Sequence, residues 1–121
     1  MVSRQDLQPG YILTQCIHST LEFFNEHPEP YKNWFNFSKA ITLLAVPNED
    51  SLKYLIRKLT ESNIRYSIFI EPDINNQVTA ITIEPGEASS KLCSSIPLAL
   101  KQYNHPNLIN KHSLNKNIVH A

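Results

Sequence analysis

From Ile12 onward, apolar side chains return every three or four positions. Leu13, Cys16, Ile17, Leu21 and Phe24 keep the period of an amphipathic helix with one apolar face. Gln15, His18 and Glu22 fall on a different stripe of that helix. Two prolines in His27–Pro30 stop it. The aromatic-rich stretch Tyr31–Phe37 predicts a short helical turn that packs Trp34 and Phe37 inward. Ile41–Val46 (ITLLAV) is a continuous apolar run, the pattern of a strand buried on both faces. After Pro47, Asn48 reads as an N-cap, with Glu49 and Asp50 in the first helical turn. Leu52, Leu55, Ile56 and Leu59 give that helix its apolar face, and Asn63 suits a left-handed stop.

Ile64–Ile70 (IRYSIFI) is rich in branched and aromatic residues and predicts a strand. Glu71–Asn76 (EPDINN) is a turn by composition, and Val78–Ile83 (VTAITI) is the next strand. A short helix is expected over 87–96, and Pro97 ends it before a further extended piece at Leu98–Leu100. At the other end, MVSR has room only for the end of a strand, and Asp6–Gly10 carries a Pro-Gly turn signal. The helix between Ile41–Val46 and Ile64–Ile70 makes a βαβ crossover, expected to be right-handed, and the last two strands should pair antiparallel. The architecture implied is a single α/β domain of three layers, with a mixed, roughly four-stranded sheet flanked by helices on both faces. The domain is expected to end near residue 101. Residues 102–121 are polar, Asn-rich and aperiodic, and are expected to form a flexible basic tail.

Composition narrows the function classes. The chain has 121 residues, 41% of them hydrophobic, which suffices for one core. No apolar run approaches the roughly 18 residues a membrane span requires. MVSRQDL lacks the apolar stretch of a signal peptide, so a soluble cytoplasmic protein is expected. Cys16 and Cys93 read as reduced packing cysteines, and no His/Cys spacing supports zinc. With glycine only at positions 10 and 86, neither a Walker loop nor a dinucleotide fingerprint can exist. Net charge is zero, but its distribution is uneven. Residues 1–100 hold eight Lys/Arg against eleven Asp/Glu, whereas Lys101, Lys111 and Lys116 follow with no acid. A nucleic-acid enzyme needs only a local basic patch, so neutrality weakens that class without removing it.

The order of elements resembles that of the type 2 peptidyl-tRNA hydrolases, and local segments resemble the family too. Asp6-Leu7, Gly10 and then Gln15-Cys16-x-His18 resemble its first strand–helix junction. Trp34, Val46-Pro47 with the acidic helix start, the strand ending at Glu71, and Thr79 through Pro85 keep its spacing over about residues 1–101. The resemblance implies hydrolysis of the ester between a peptide, or an N-blocked amino acid, and the tRNA 3′ end. It implies no metal or cofactor, tRNA as the partner, and a homodimer as in other members. This chain departs from the family's pattern in four ways. Tyr11 stands where the family has a lysine, Glu71 takes the place of its catalytic aspartate, and the following loop is short. The first strand is also expected to be truncated. These features resemble the divergent peptidyl-tRNA hydrolase domain-containing branch.

The candidate catalytic residues are then Glu71, Thr79 and His18, and the candidate substrate-binding residues are Gln15, Gly10, Tyr11, Lys39, Lys53 and Arg57. Glu71 at a Pro-marked turn is suited to water activation, and otherwise is an ordinary solvated acid. Thr79 faces it only if the strand register allows, and otherwise packs as any strand threonine. Gln15 and His18 share a helix face, where His18 has Glu22 as an alternative partner. Lys39 precedes the buried strand and is either a substitute for the lysine replaced by Tyr11 or a solvated strand end. Lys53, Arg57 and Lys58 form a basic stripe that suits either phosphates or water. On the same fold, a non-catalytic tRNA-binding or protein-interaction module is the alternative.

Overall fold

A computed structural model describes residues 1–101. The expected tail, 102–121, lies outside the described residues. In chain order the elements are β1 (Val2–Arg4), α1 (Pro9–Glu26), α2 (Pro28–Phe37), β2 (Leu44–Val46), α3 (Glu49–Glu61), β3 (Tyr66–Glu71), a 3-10 turn (Pro72–Ile74), β4 (Gln77–Ile83) and α4 (Glu87–Leu92). The four strands form one mixed sheet in the order β2-β1-β4-β3. β1 runs parallel to β2 and antiparallel to β4, and β3 and β4 pair antiparallel as expected. The fold is therefore the α/β class the pattern implied.

Local chemistry explains most boundaries. Asn48 accepts the Ser51 N–H at 3.0 Å and caps α3, while Asn63 closes it with φ 56°. Asn75 and Asn76, both left-handed at φ 60° and 56°, turn the chain from β3 back into β4. α1 begins earlier than the periodicity suggested, because Pro9 in its first turn needs no N–H partner and helps to start the helix. α2 is a full ten-residue helix rather than a turn, again opened by a proline. Its Trp34 packs toward Phe24 and Tyr31, but Phe37 at its end is 82% exposed, contrary to the inward packing expected of it.

MVSR supplies the short strand piece expected of it, three residues long, and this piece is central in the sheet, paired on both sides. Conversely, the apolar run Ile41–Val46 contributes only Leu44–Val46 as strand, beside β1 and bridged on its other side only through Leu44 to Leu98. Ile41 lies before the strand begins and is 70% exposed. The crossover through α3 thus joins the two ends of the strand order, with β1 and β4 between them.

Each face of the sheet has its own filling. On one side α3 packs Leu52, Leu55 and Leu59 against Val2, Val46, Val78 and Ile81. On the other side α1 lays Ile12 and Cys16 against Ala80. The α1 side is notably polar: Gln15, Ser19, Ser67, Thr79 and Thr82 are all buried there. Ser19 and Thr20 bond Thr82 at 2.8 and 3.1 Å, and Ser67 donates to Glu26. Every buried side-chain polar atom among the described residues has a partner, so this interface is held by hydrogen bonds as well as by contact.

This polar interface rotates α1 away from the expected orientation. Its buried positions are Ile12, Gln15, Cys16, Ser19 and Phe23, whereas Leu13, Ile17 and Leu21 are 47, 60 and 57% exposed. Of the apolar stripe visible in the sequence, Cys16 is buried while Leu13, Ile17 and Leu21 face outward, and the helix is turned so that Gln15 reaches the sheet.

Candidate active site

β3 alternates strictly on the α1 side, presenting Ser67, Phe69 and Glu71 in turn. β4 does not. The pairs run Phe69 with Ala80 and then Ile70 with Val78, so Thr79 is the extra residue of a bulge. Ala80 already faces α1, and an unbroken strand would turn Thr79 to the α3 core. The bulge instead puts both side chains on the α1 side, the kind of re-aiming that bulges perform.

Three side chains meet there. Gln15 donates through Nε2 to Glu71 Oε1 at 2.9 Å, and the Thr79 hydroxyl donates to Gln15 Oε1. The second Glu71 oxygen accepts the Asp73 N–H at 3.2 Å, capping the 3-10 turn that follows β3. Thr79 and Gln15 are fully covered, while Glu71 keeps 9% of its surface open. The chain of bonds is directional: a buried hydroxyl orients an amide, and the amide orients a carboxylate at the rim.

The carboxylate is kept in its charged form. The Gln15 hydrogen bond lowers the Glu71 pKa most, followed by the Asp73 N–H, against a smaller opposing effect of desolvation. Tyr11 lies one helical turn before Gln15, close enough to the same carboxylate for the two groups to shift each other's pKa. Desolvation and the Glu71 charge together push the Tyr11 phenol above its ordinary range. His18, exposed on the next turn, stacks on Phe69 with ring centroids 4.2 Å apart and planes 8° apart. It does so in place of the Glu22 pairing weighed for it, and its charge further favours ionised Glu71.

Glu71, Thr79, Gln15, Tyr11 and His18 are therefore brought together. The remaining candidates sit apart. Gly10 lies exposed in the first turn of α1, with open space where a side chain would be. Lys39 follows α2 with its ammonium 4.7 Å from the Phe35 ring centroid. Lys53 pairs with Glu49 at 3.5 Å, while Arg57 and Lys58 lie over the Tyr54 ring, all on the helix that covers the opposite face. Two contributors carried no readable signal in the sequence: the Asp73 N–H and the Phe69 platform under His18. Their roles come from the turn and from strand alternation.

Elsewhere, a cavity of about 950 Å³ opens beside Ile17, Leu21, Phe24, Tyr31, Trp34 and Ile41, and none of the Glu71 cluster lines it. Among the described residues no group of three or more His, Cys, Asp or Glu could hold a metal ion. No described helix is long and apolar enough to cross a membrane.

The sheet is mixed, and at its rim a carboxylate is oriented through a buried amide and a bulge hydroxyl, all within an α/β domain. The family described as Peptidyl-tRNA hydrolase PTH2 matches residues 1–103, and the chain belongs to it. Comparison with curated proteins finds no match.

Proposed function

We propose that the protein hydrolyses the ester joining a peptide or N-blocked amino acid to the 3′ end of tRNA. The observation that carries this reading is the Thr79–Gln15–Glu71 relay, which holds an ionised carboxylate at a surface rim. Glu71 orients the attacking water and accepts its proton as attack proceeds. Gln15 and Thr79 act as positioning residues, fixing which carboxylate oxygen faces outward. His18 on its Phe69 platform offers a flat surface for the terminal base or the amino-acid side chain. Gly10, in the exposed first turn of α1, leaves room for substrate to approach that end of the helix.

Phosphate contacts come from further away. Glu49 in the first turn of α3 accepts the Val78 N–H at 2.8 Å, next to Thr79 in the chain, and Lys53 and Arg57 follow along that helix. In this reading these cations, with Lys39, meet backbone phosphates away from the ester. The reaction runs without a metal and in the cytoplasm.

The test is release of free tRNA from a labelled N-blocked aminoacyl-tRNA, without added metal. Turnover that collapses in Glu71→Gln, with folding unchanged, supports the reading. Full activity in that variant removes Glu71 from the mechanism.

A second reading, a tRNA-binding or protein-interaction module that includes a homodimer, is favoured by the outward Leu13–Ile17–Leu21 stripe. Absence of turnover, together with salt-dependent tRNA binding or concentration-dependent dimerisation, would select it.

A further inference from the structure

The relay exists only while the bulge keeps Thr79 turned toward α1, and backbone pairing does not hold the bulge from the β1 side. β1 pairs with β4 at Val2–Ile81 and Ser3–Ala80. The chain then leaves β4, since the Gln5 N–H goes to the Val46 carbonyl of β2 at 2.8 Å. Val78 and Thr79 are buried, and buried backbone groups require partners. Side chains supply them. The Ser3 hydroxyl donates to Thr79 O at 2.9 Å. Arg4 Nη1 donates to Val78 O at 3.1 Å and to the Gln77 side-chain oxygen at 2.8 Å. Glu49 Oε2, from the first turn of α3, accepts the Val78 N–H at 2.8 Å. Arg4 is itself buried and is clamped by both Asp6 oxygens, at 3.0 and 2.8 Å.

We propose that Ser3, Arg4 and Glu49 are positioning residues: they fix the bulge that aims the Thr79 hydroxyl at Gln15, and through it they orient Glu71. The consequence for turnover rests on the ester-hydrolase reading above, whereas the positioning does not. Glu49 is the informative member. It stands on the helix covering the opposite face of the sheet and bonds the backbone beside Thr79 rather than the relay. Its side chain is only 23% exposed, and the same oxygen faces Lys53 at 3.5 Å. A test must therefore separate loss of the Val78 bond from loss of charge.

The experiment compares wild type with Glu49→Ala and Glu49→Gln. Glutamine removes the charge but keeps an acceptor for the Val78 N–H, whereas alanine removes both. Two quantities are read: steady-state release of tRNA from an N-blocked aminoacyl-tRNA, and titration of the Glu71 carboxyl followed by carboxyl-carbon NMR. In Glu49→Ala, kcat should fall about tenfold or more with KM within about twofold. The Glu71 midpoint should rise toward the ordinary carboxylate value, because the Gln15 bond that chiefly depresses it is no longer fixed. Loss of a negative charge alone would lower that midpoint instead. Glu49→Gln should recover most of kcat, with the midpoint at the wild-type value or below. Equal losses in the two variants would assign the effect to charge and overturn the inference. So would a change confined to KM, or an unmoved midpoint in Glu49→Ala. Should Glu49→Ala disturb folding, Ser3→Ala deletes one bond to the bulge with little change in volume. It must then lower kcat and raise the Glu71 midpoint, and a wild-type result counts against the inference. A wild-type protein that releases no tRNA fails the ester-hydrolase reading, and the titration alone then decides the positioning: a raised midpoint supports it and an unmoved one overturns it.

Discussion

The Gln15 amide stands between two residues of different strands, donating to Glu71 at 2.9 Å and accepting from Thr79. An amide in this position is oriented from both sides: ionised Glu71 can only accept and draws Nε2, while the Thr79 hydroxyl donates to Oε1. Gln15→Leu keeps the helix and the approximate volume but removes both bonds. Stability should fall by about 1–3 kcal/mol, the usual cost of leaving buried polar groups unpaired. Urea denaturation reads this directly, and a midpoint unchanged from wild type would show that the relay contributes nothing to folding.

Thr79 is the point at which a backbone irregularity becomes chemistry. Thr79→Val keeps the branched shape but deletes the donor, leaving the buried Gln15 Oε1 without its partner and the amide less firmly placed against Glu71. Hydrolysis of N-blocked aminoacyl-tRNA should drop at least about tenfold with circular dichroism unchanged, while Thr79→Ser keeps most of the rate. A Ser variant as impaired as the Val variant would place the effect in packing rather than in the hydroxyl.

The perturbed carboxylate of the site sets a pH dependence. Glu71 is held below the ordinary carboxylate range, mainly by Gln15, and Tyr11 above the ordinary phenol range. Activity that depends on ionised Glu71 should therefore persist to a pH below the ordinary carboxylate range before it falls. The same shift links to stability. A carboxyl depressed on folding stabilises above its unfolded pKa, and that contribution is lost as pH falls through the folded value. The stability gap between wild type and Glu71→Gln should narrow on acidification, as seen by thermal melts across that range. A gap independent of pH would mean that the Gln15 and Asp73 bonds do not favour the charged form.

How far the sequence could be read is best seen on α1. Its existence, its stop before two prolines, and the grouping of Gln15 with His18 were all legible, because helix period and proline chemistry are local. The face it buries was not. Counting apolar residues favours Leu13, Ile17 and Leu21, yet the sheet beneath α1 is lined by Ser67, Thr79 and Thr82, and their hydrogen bonds to Gln15, Ser19 and Thr20 decide the rotation. The Thr79 bulge is equally hidden, since a seven-residue strand with one extra residue looks like any other seven-residue strand. By contrast, the α3 side followed the expected pattern because purely apolar packing decides it. The position of β2 as an outer strand escaped notice for a related reason: an apolar run shows that residues avoid water, but it does not show how many neighbours a strand has.

Two substitutions five residues apart on α1 separate these orientations. Ile12 is fully buried, so Ile12→Ala should cost about 2–5 kcal/mol. Ile17 is largely exposed, so Ile17→Gln should stay within about 0.5 kcal/mol. Chemical denaturation of both variants gives the ordering, and a larger loss at Ile17 than at Ile12 would return α1 to the face its periodicity suggests.

Cys16 tests the same packing without a mutation. It lies within the α1–sheet contact, and burial pushes its thiol up to about 11. The Cys93 thiol is also raised by burial, but that side chain is only partly covered. Because alkylation requires the thiolate and access to it, iodoacetamide at neutral pH should label Cys93 well before Cys16 in the folded protein, and both at similar rates in urea. Mass spectrometry of the partly labelled protein assigns the order. Rapid labelling of Cys16 under native conditions would mean that α1 lifts from the sheet. The Gln15 relay, anchored on the preceding residue, would open with it, and the carboxylate would lose the orientation on which the proposed hydrolysis depends.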